Sequence, residues 1–594
     1  MNVRILIVAV ISMAFFPGCN DSFMDRFPET SITEGNFFRS ASDLELYSNQ
    51  FYNYFLQEGS PFMTILGDYP SDNMVTTLTT SEMHRLMTGA ITPTNISQWD
   101  WTRIRTVNFM LARAGNATGD GVEHYIGLAR MVRACLYYYE KVLRYSDVPW
   151  YSRDLQTTDD DLLYKTQDSR TLVVDSVMAD FDYAVSVMNS GTDRTKLTKE
   201  VALAYLARTA LFEGSWRKYH AELGLEDADV YFHKAIDACE QLMNSGLFTL
   251  YSDYSGIFRN DDLKGNPEII FYEDYNLGDP NLTWWNDEWS ARGMFSRDLM
   301  ESYLYVDGEK AIPYTSVDGY ATKSFNEFYK NRDSRLVASF WTPGYQRLGQ
   351  PNAAIPDLQQ GGYGVIKYDA LATNQSGWGS TAKCYADLPI LRYAEILLNY
   401  AEAKAELGIL TQADLDKSIN LLRDRVGMPR AILAEWESNI DPVIAAKYPN
   451  VQSSQKGAVL EIRRERRIEL LHEGFRYNDL MRWSCGKYFA DMQEGIYFPG
   501  YGIYDLNSDG DPDVLIIGSD SEKKQYEDVL NQYEIFVYTL SDGYVTLTDG
   551  TKGYIKPAGR DNIFTFEAPK YYYMPISEQD ILINSNLVQN QFWK

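Results

Sequence analysis

Three groups of residues combine types and spacings that could do chemistry. The first is the segment 272–289, YEDYNLGDPNLTWWNDEW, which crowds Tyr272, Tyr275, Trp284, Trp285 and Trp289 among Asn286, Asp287 and Glu288. Aromatic faces stack on the C–H faces of a polar ring while carboxylates and amides take its hydroxyls, so this pattern suits a sugar. The bland alternative is that these indoles anchor the loop to the core. Trp341, Tyr345 and Trp378 are weaker candidates for the same work, and Trp99 and Trp101, at the start of a helix, read as mainly structural. The second group is Asp505, Asn507, Asp509, Asp511 and Asp513 around Gly510, oxygen ligands at alternating positions as in a calcium loop. Ile516 stands where an EF-hand needs its bidentate Glu. That leaves a shorter calcium loop, with a structural ion, beside a plain Asx turn leading into a strand at Val514–Ile517. The third group is Glu465, Glu469 and Glu473, four residues apart and so on one helix face, with Arg463, Arg466 and Arg476 within reach. Such a face is expected to form structural ion pairs rather than a catalytic site.

Enzyme signatures are missing. The chain has no HExxH, no GxSxG and no phosphate-cradling glycine loop, and His84, His124, His220, His233 and His472 lack metal-ligand spacing. A pair of acids for glycoside cleavage stays open, because carboxylates abound. The 594 residues carry 55 Lys and Arg against 82 Asp and Glu, a net charge of −27. That balance excludes a nucleic-acid partner and electrostatic attachment to an anionic bilayer. Cys135 and Cys239 sit in helical patterns among apolar neighbours and are expected buried and free, and no cysteine spacing indicates zinc.

The elements that must carry these groups are mainly helical. Helical periodicity marks Asp43–Phe55, Trp101–Ala114, Glu123–Arg144, Thr171–Met188, Lys199–Tyr219, Asp229–Met243, Pro389–Leu407, Gln412–Arg425 and Ala458–Trp483. Small residues recur where helices must approach: Ala202, Ala207 and Ala210 in one, Ala394, Ala401 and Ala405 in another. The pattern predicts a mainly α fold, a tetratricopeptide-like helical hairpin scaffold with long aromatic loop-rich insertions and a few short strands. Residues 37–247 form the first helical region, 248–384 a loop-rich one, 385–485 a second helical region, and 486–594 a loop- and strand-rich end with strands at Val514–Ile517 and Glu534–Tyr538.

At the start, Arg4 precedes an apolar run from Ile5 to Phe16 and then Gly18-Cys19. The run is too short to span a bilayer, which needs about 20 residues, and reads as a secretory signal over 1–18. Ending at Gly-Cys, it resembles a bacterial lipoprotein signal, which makes Cys19 the lipidated residue and 19–36 a lipid-anchored tether.

The tether, with Cys19, Asp21, Phe23, Met24, Asp25 and Pro28, the helix LRYAEILLNYAEAKAEL, and the segment EIRRERRIELLHEGFRYNDLMRW over Glu461–Trp483 together resemble the SusD/RagB outer-membrane lipoproteins of Bacteroidetes. The resemblance runs from residue 19 to the C-terminus and is specific in the helices, while the loops match only in character. It implies a cell-surface, lipid-anchored glycan-binding protein that is not an enzyme and requires no cofactor. It also implies a partner, a SusC-like TonB-dependent outer-membrane transporter, to which oligosaccharides would be delivered. Peptide capture, as in the RagB branch, and a helical-repeat adaptor for proteins are the alternatives.

Overall fold

The computed structural model describes residues 37–55, 68, 71–75, 82–97, 99–276, 295–346, 351–368, 386–491, 493–557 and 564–594. Five helices follow one another: α1 Thr102–Ala114, α2 Val122–Cys135, α3 Arg170–Val187, α4 Lys199–Tyr219 and α5 Ala228–Asn244. Each packs on the next, and α5 packs in turn on α6, Tyr393–Leu407. The Asp100 carboxylate accepts the Thr102 N–H at 2.9 Å and starts α1, and Ser169 Oγ accepts the Leu172 N–H to start α3. The small residues do what their pattern predicts. Ala202, Ala207, Ala210, Ala394, Ala401 and Ala405 are completely buried. A Cβ on Gly214 would lie 2.9 Å from the Phe232 ring, so glycine lets α5 close on α4. Helix α2 runs on through a π-helical turn, Leu136–Val142, that buries both Tyr137 and Tyr138.

Three expected helices are interrupted: Gln412–Arg425 is two, Gln412–Asp416 and Ile419–Arg425, and two others are broken by distant partners. Of Pro389–Leu407, the first part is instead strand β2, Leu388–Arg392, antiparallel to β1, Ile269–Glu273. A buried pairing partner outweighs local helical pattern here: Leu388 and Leu391 are both inaccessible to solvent within that pair. The expected helix Ala458–Trp483 is two, α8 Lys456–Glu469 and α9 Arg476–Arg482, following α7, Ile419–Arg425. Between α8 and α9 the chain turns with positive φ at His472 (59°) and Gly474 (83°). The turn is fixed from outside, because the Asp68 carboxylate accepts the N–H groups of His472 (2.6 Å) and Arg476 (3.1 Å). Burial pushes Asp68 up to about 6 against those bonds. Near the end, β3 Gly502–Tyr504 pairs antiparallel with β4 Val514–Ile517, which pairs parallel with β5 Phe536–Thr539.

The helices share one hydrophobic core, and the loops and late strands build a second around Phe295, Tyr303, Phe340, Tyr363 and Val514. Helix α8 belongs to both, giving Val459 and Ile462 to the first and Ile468 to the second. Its glutamates hold the junction. Glu465 receives Arg335 (2.9 Å) and Arg423 (2.6 Å); Glu469 receives Arg335 (3.1 Å), Arg392 (2.7 Å) and Arg425 (2.6 Å). Glu473 receives Lys367 (2.8 Å) and Arg392 (2.7 Å), and Arg392 also reaches Glu268 (2.9 Å). The arginines expected to serve this face go elsewhere: Arg463 to Glu406, Arg466 to Asp479 and Arg476 to Asp72. Helical spacing fixes which side chains share a face but not which distant segment supplies the counter-charge.

Glu469 is fully buried, which pushes its carboxyl up, yet Arg425, Arg392 and Arg335 outweigh burial and hold it well below the usual range. A depressed folded pKa contributes stability above the unfolded value, about 4.3, that is lost as pH falls through the folded one. Glu469→Gln is therefore expected to cost about 3–5 kcal/mol, because it strands buried guanidinium groups. Denaturant unfolding at neutral pH measures this, and the variant should lose less further stability than the parent below about pH 4. A cost below about 1 kcal/mol, the level of an exposed pair, would contradict the assignment.

Candidate ligand-binding face

The aromatic insertions leave the framework beside this junction. Past β1, the Tyr275 N–H donates to Asp387 Oδ1 (3.0 Å) and the Leu263 N–H to Oδ2 (2.8 Å), so one carboxylate ties the chain at 275 to the chain at 387. Burial, with Asp274 and Asp262 adding repulsion, pushes Asp387 up to about 7. Tyr272 and Tyr275 are 5% and 8% exposed, in a small core with Tyr254, Phe258 and Tyr368. These two expected ligand contacts are therefore anchors of the loop root: the β1–β2 pairing places Tyr272 in the core, the bond to Asp387 holds the chain at Tyr275, and burial pushes the Tyr272 phenol up to about 12. Trp284, Trp285, Asn286, Asp287 and Trp289 lie outside the described residues, as do Trp378 and Cys19. Beneath the roots, the His472 ring packs edge-on against Phe295 (5.3 Å) and Tyr368 (5.7 Å). Burial, then Lys367, pushes it down to about 3, so it is a neutral spacer.

The same loop-rich region holds the stacked pair Trp341 and Tyr345. Trp341 is buried against Gly364, where an added Cβ would lie 2.5 Å from the indole, and Tyr345 stacks on it at 6.2 Å and 21°. Tyr345 is half-buried, and the two rings form a stacked pair.

A second feature lies on the helical scaffold. Trp99, Trp101 and Tyr151 line a cavity of about 330 Å³ at the start of α1. The two indoles meet edge-to-face at 5.3 Å, and Trp101 meets Tyr151 at 5.2 Å in the same geometry. Both indoles also pack on the helical core. The structural role expected of them holds, and the cavity they line is what the sequence reading missed. The available signal was the Trp-Asp-Trp spacing, which sets two indoles on either side of the residue that caps α1.

Comparison with known proteins settles the family. Residues 257–593, more than half of the chain, match the model of the SusD family, and the chain belongs to the SusD/RagB family. A SusD-like protein of Formosa agariphila is 24% identical over 507 residues, covering 81% of this chain and 91% of its own. A SusD-like protein of Bacteroides ovatus is 24% identical over 47% of this chain and 51% of its own. Among solved structures, a SusD-like carbohydrate-binding protein of Bacteroides fragilis superposes with a TM-score of 0.65 at 20% identity, covering 93% of this chain and 100% of that one. A laminarin-binding SusD-like protein gives 0.54 at 15% identity, covering 93% and 99%. These likenesses place the mainly helical, tetratricopeptide-like fold. Among the described residues, no helix is long and apolar enough to cross a membrane, and Cys135, Cys239 and Cys485 are buried and free.

The loop Asp505–Asp513 packs beside the Trp341–Tyr345 pair, where a Cβ on Gly344 would lie 3.2 Å from the Asn507 carbonyl. Its oxygens are engaged by its own amides. Asp505 accepts from Ser508 N (2.6 Å) and Gly510 N (3.0 Å), Asn507 from Asp509 N (2.8 Å), and Asp509 from Asp511 N (2.8 Å). Asp513 accepts from Leu506 N (2.7 Å) and Asn507 N (3.0 Å). This is a run of Asx turns, and the N–H groups relieve the repulsion that motivated a cation. Among the described residues no group of three or more His, Cys, Asp or Glu is gathered to hold a metal, so the calcium expectation rests on spacing alone. Chelator is expected to leave the melting temperature unchanged. A shift of several degrees, with one equivalent of calcium by elemental analysis, would assign the ion instead.

Proposed function

We propose that this chain is a cell-surface glycan-binding lipoprotein that captures oligosaccharides and delivers them to a SusC-like TonB-dependent transporter, without cleaving them. The observation that carries the reading is family membership over residues 257–593, joined to the carbohydrate and laminarin binding named for structural neighbours. Supporting it, the aromatic insertions leave the scaffold from roots fixed in the core, and the same loop-rich region holds the stacked Trp341–Tyr345 pair. Trp284, Trp285 and Trp289, flanked by Asn286 and Asp287, and Tyr345 are the residues proposed to stack on sugar rings. The binding energy then comes from C–H faces against aromatic rings, and the hydroxyls are oriented by amides and carboxylates.

A glycan array on the purified chain should reveal binding with no release of reducing ends. Alanine at Trp284, Trp285, Trp289 or Tyr345 should weaken the best ligand by about 1–3 kcal/mol, as for aromatic hot spots, with little change in melting temperature. If each indole were core, its loss would cost about 3–5 kcal/mol of stability instead. Binding of peptides and of no glycan would move the assignment to peptide capture, and release of reducing ends would make the chain a glycosidase.

Anchoring rests on Gly18-Cys19 at the end of the apolar run. One acyl chain gives only marginal membrane binding, so a multiply acylated Cys19 is proposed. Cys19→Ala should release the protein from the membrane fraction of cells lacking the transporter. Retention there would refute lipid anchoring.

A further inference from the structure

The cavity at the start of α1 is built from parts of the chain that the proposed glycan face does not use. Trp99, Trp101 and Asn108 come from the first helical hairpin, Tyr151 and Arg153 from the segment after α2, and Asn584 from the C-terminal stretch. Its volume, about 330 Å³, falls at the small end of ligand pockets, about 300–1,000 Å³, and so admits one or two sugar rings rather than a long chain.

Two features of its lining point to one ligand chemistry. The walls are apolar, with Trp99, Trp101 and Tyr151 set edge-to-face so that their faces turn different ways, beside aliphatic Ile104, Leu155 and Leu163. The rim carries two arginines, Arg105 and Arg153, against one acid, Asp580. The Arg105 side chain is exposed on α1, and its guanidinium makes no hydrogen bond or ion pair among the described residues, in a chain of net charge −27. Arg153 holds Asp159 at 2.9 Å but is 57% exposed, and the Lys141 ammonium lies 5.1 Å from the Trp101 ring centre. The acid on the lining, Asp580, has one oxygen taken by Ser577 Oγ. Asn108 is likewise spent, between Arg133 and the Tyr151 carbonyl, and so stiffens the wall.

We propose that this cavity is a second binding site, for a short saccharide bearing an acid group: its ring on the indoles, and its carboxylate or sulfate on Arg105 and Arg153. A guanidinium fork matches both anions. The site is independent of the loop face, so either can fail without the other.

The probes are digalacturonic acid, a sulfated disaccharide and neutral cellobiose, titrated against the full chain by calorimetry and by tryptophan fluorescence. Digalacturonic acid should bind, with affinity falling as salt rises, and should shift the emission. Arg105→Gln, at an exposed position, should keep the melting temperature and weaken the acid sugar about tenfold or more, the order of one lost charge-assisted contact. Trp99→Phe should reduce both the emission change and the affinity, and cellobiose should bind at least about tenfold more weakly. Tighter binding of the sulfated sugar, still dependent on Arg105, supports the site with sulfate as the source. No binding by either acid sugar, affinity unchanged in Arg105→Gln, or affinity lost in Tyr345→Ala but kept in Arg105→Gln would overturn it. The last result would leave the loop face standing.

Discussion

Arg392 is bound at once by Glu268, Glu469 and Glu473, and Glu469 in turn holds Arg335 and Arg425, so one buried network joins five stretches of the chain. It stands at the end of β2, where the chain passes directly into α6, while its partners come from the approach to β1, the end of α8 and the turn beyond. Charges taken out of water this completely are a poor source of net stability, because desolvation consumes most of what attraction returns. What they enforce is geometry. With Arg335, Arg423, Arg425 and Lys367 the cations match the buried carboxylates, and any register that displaces α8 leaves a charge uncompensated. Since α8 contributes side chains to both hydrophobic cores, the network fixes how the helical scaffold meets the loop-bearing half.

That constraint has a consequence for the loops. The roots of the aromatic insertions sit against this junction: Tyr275 and Leu263 on Asp387, Tyr368 and Phe295 against His472. Ordering a loop's ends in advance lowers the entropy that a ligand must overcome when it docks on the loop. A rigid base therefore permits a varied and aromatic loop sequence above it. This is how one scaffold can present different recognition surfaces, with specificity living in the loops and stability in the helices.

The helical scaffold was legible because its information is local. The small positions of α4 and α6, the spacing of α3 and α5 and the strand Val514–Ile517 all follow from period and composition, and the structure places them with shifts of one or two residues. The errors came where a distant partner decided. Nothing in PILR announces that β1 will claim it, and nothing in the segment 470–475 announces that Asp68 will cap the break. Spacing put Arg463, Arg466 and Arg476 near the glutamate face, yet each found a carboxylate on another segment. Ion pairing in a buried site is a long-range choice, and periodicity carries no long-range information.

The site was legible only as chemistry. Tyr and Trp among Asn and Asp mark a segment suited to sugars, but the same residues make equally good loop anchors, and composition cannot divide the two roles. Burial divides them. Tyr272 and Tyr275 are held in the core, whereas Tyr345 is half-buried and stacks on Trp341, which fills the space against Gly364. The reverse holds at Trp99 and Trp101, which serve the helical core and still line a cavity together with Tyr151 and the C-terminal stretch. An aromatic residue is thus a candidate contact when its neighbours leave one face unfilled, and that depends on the packing partners brought from elsewhere in the chain.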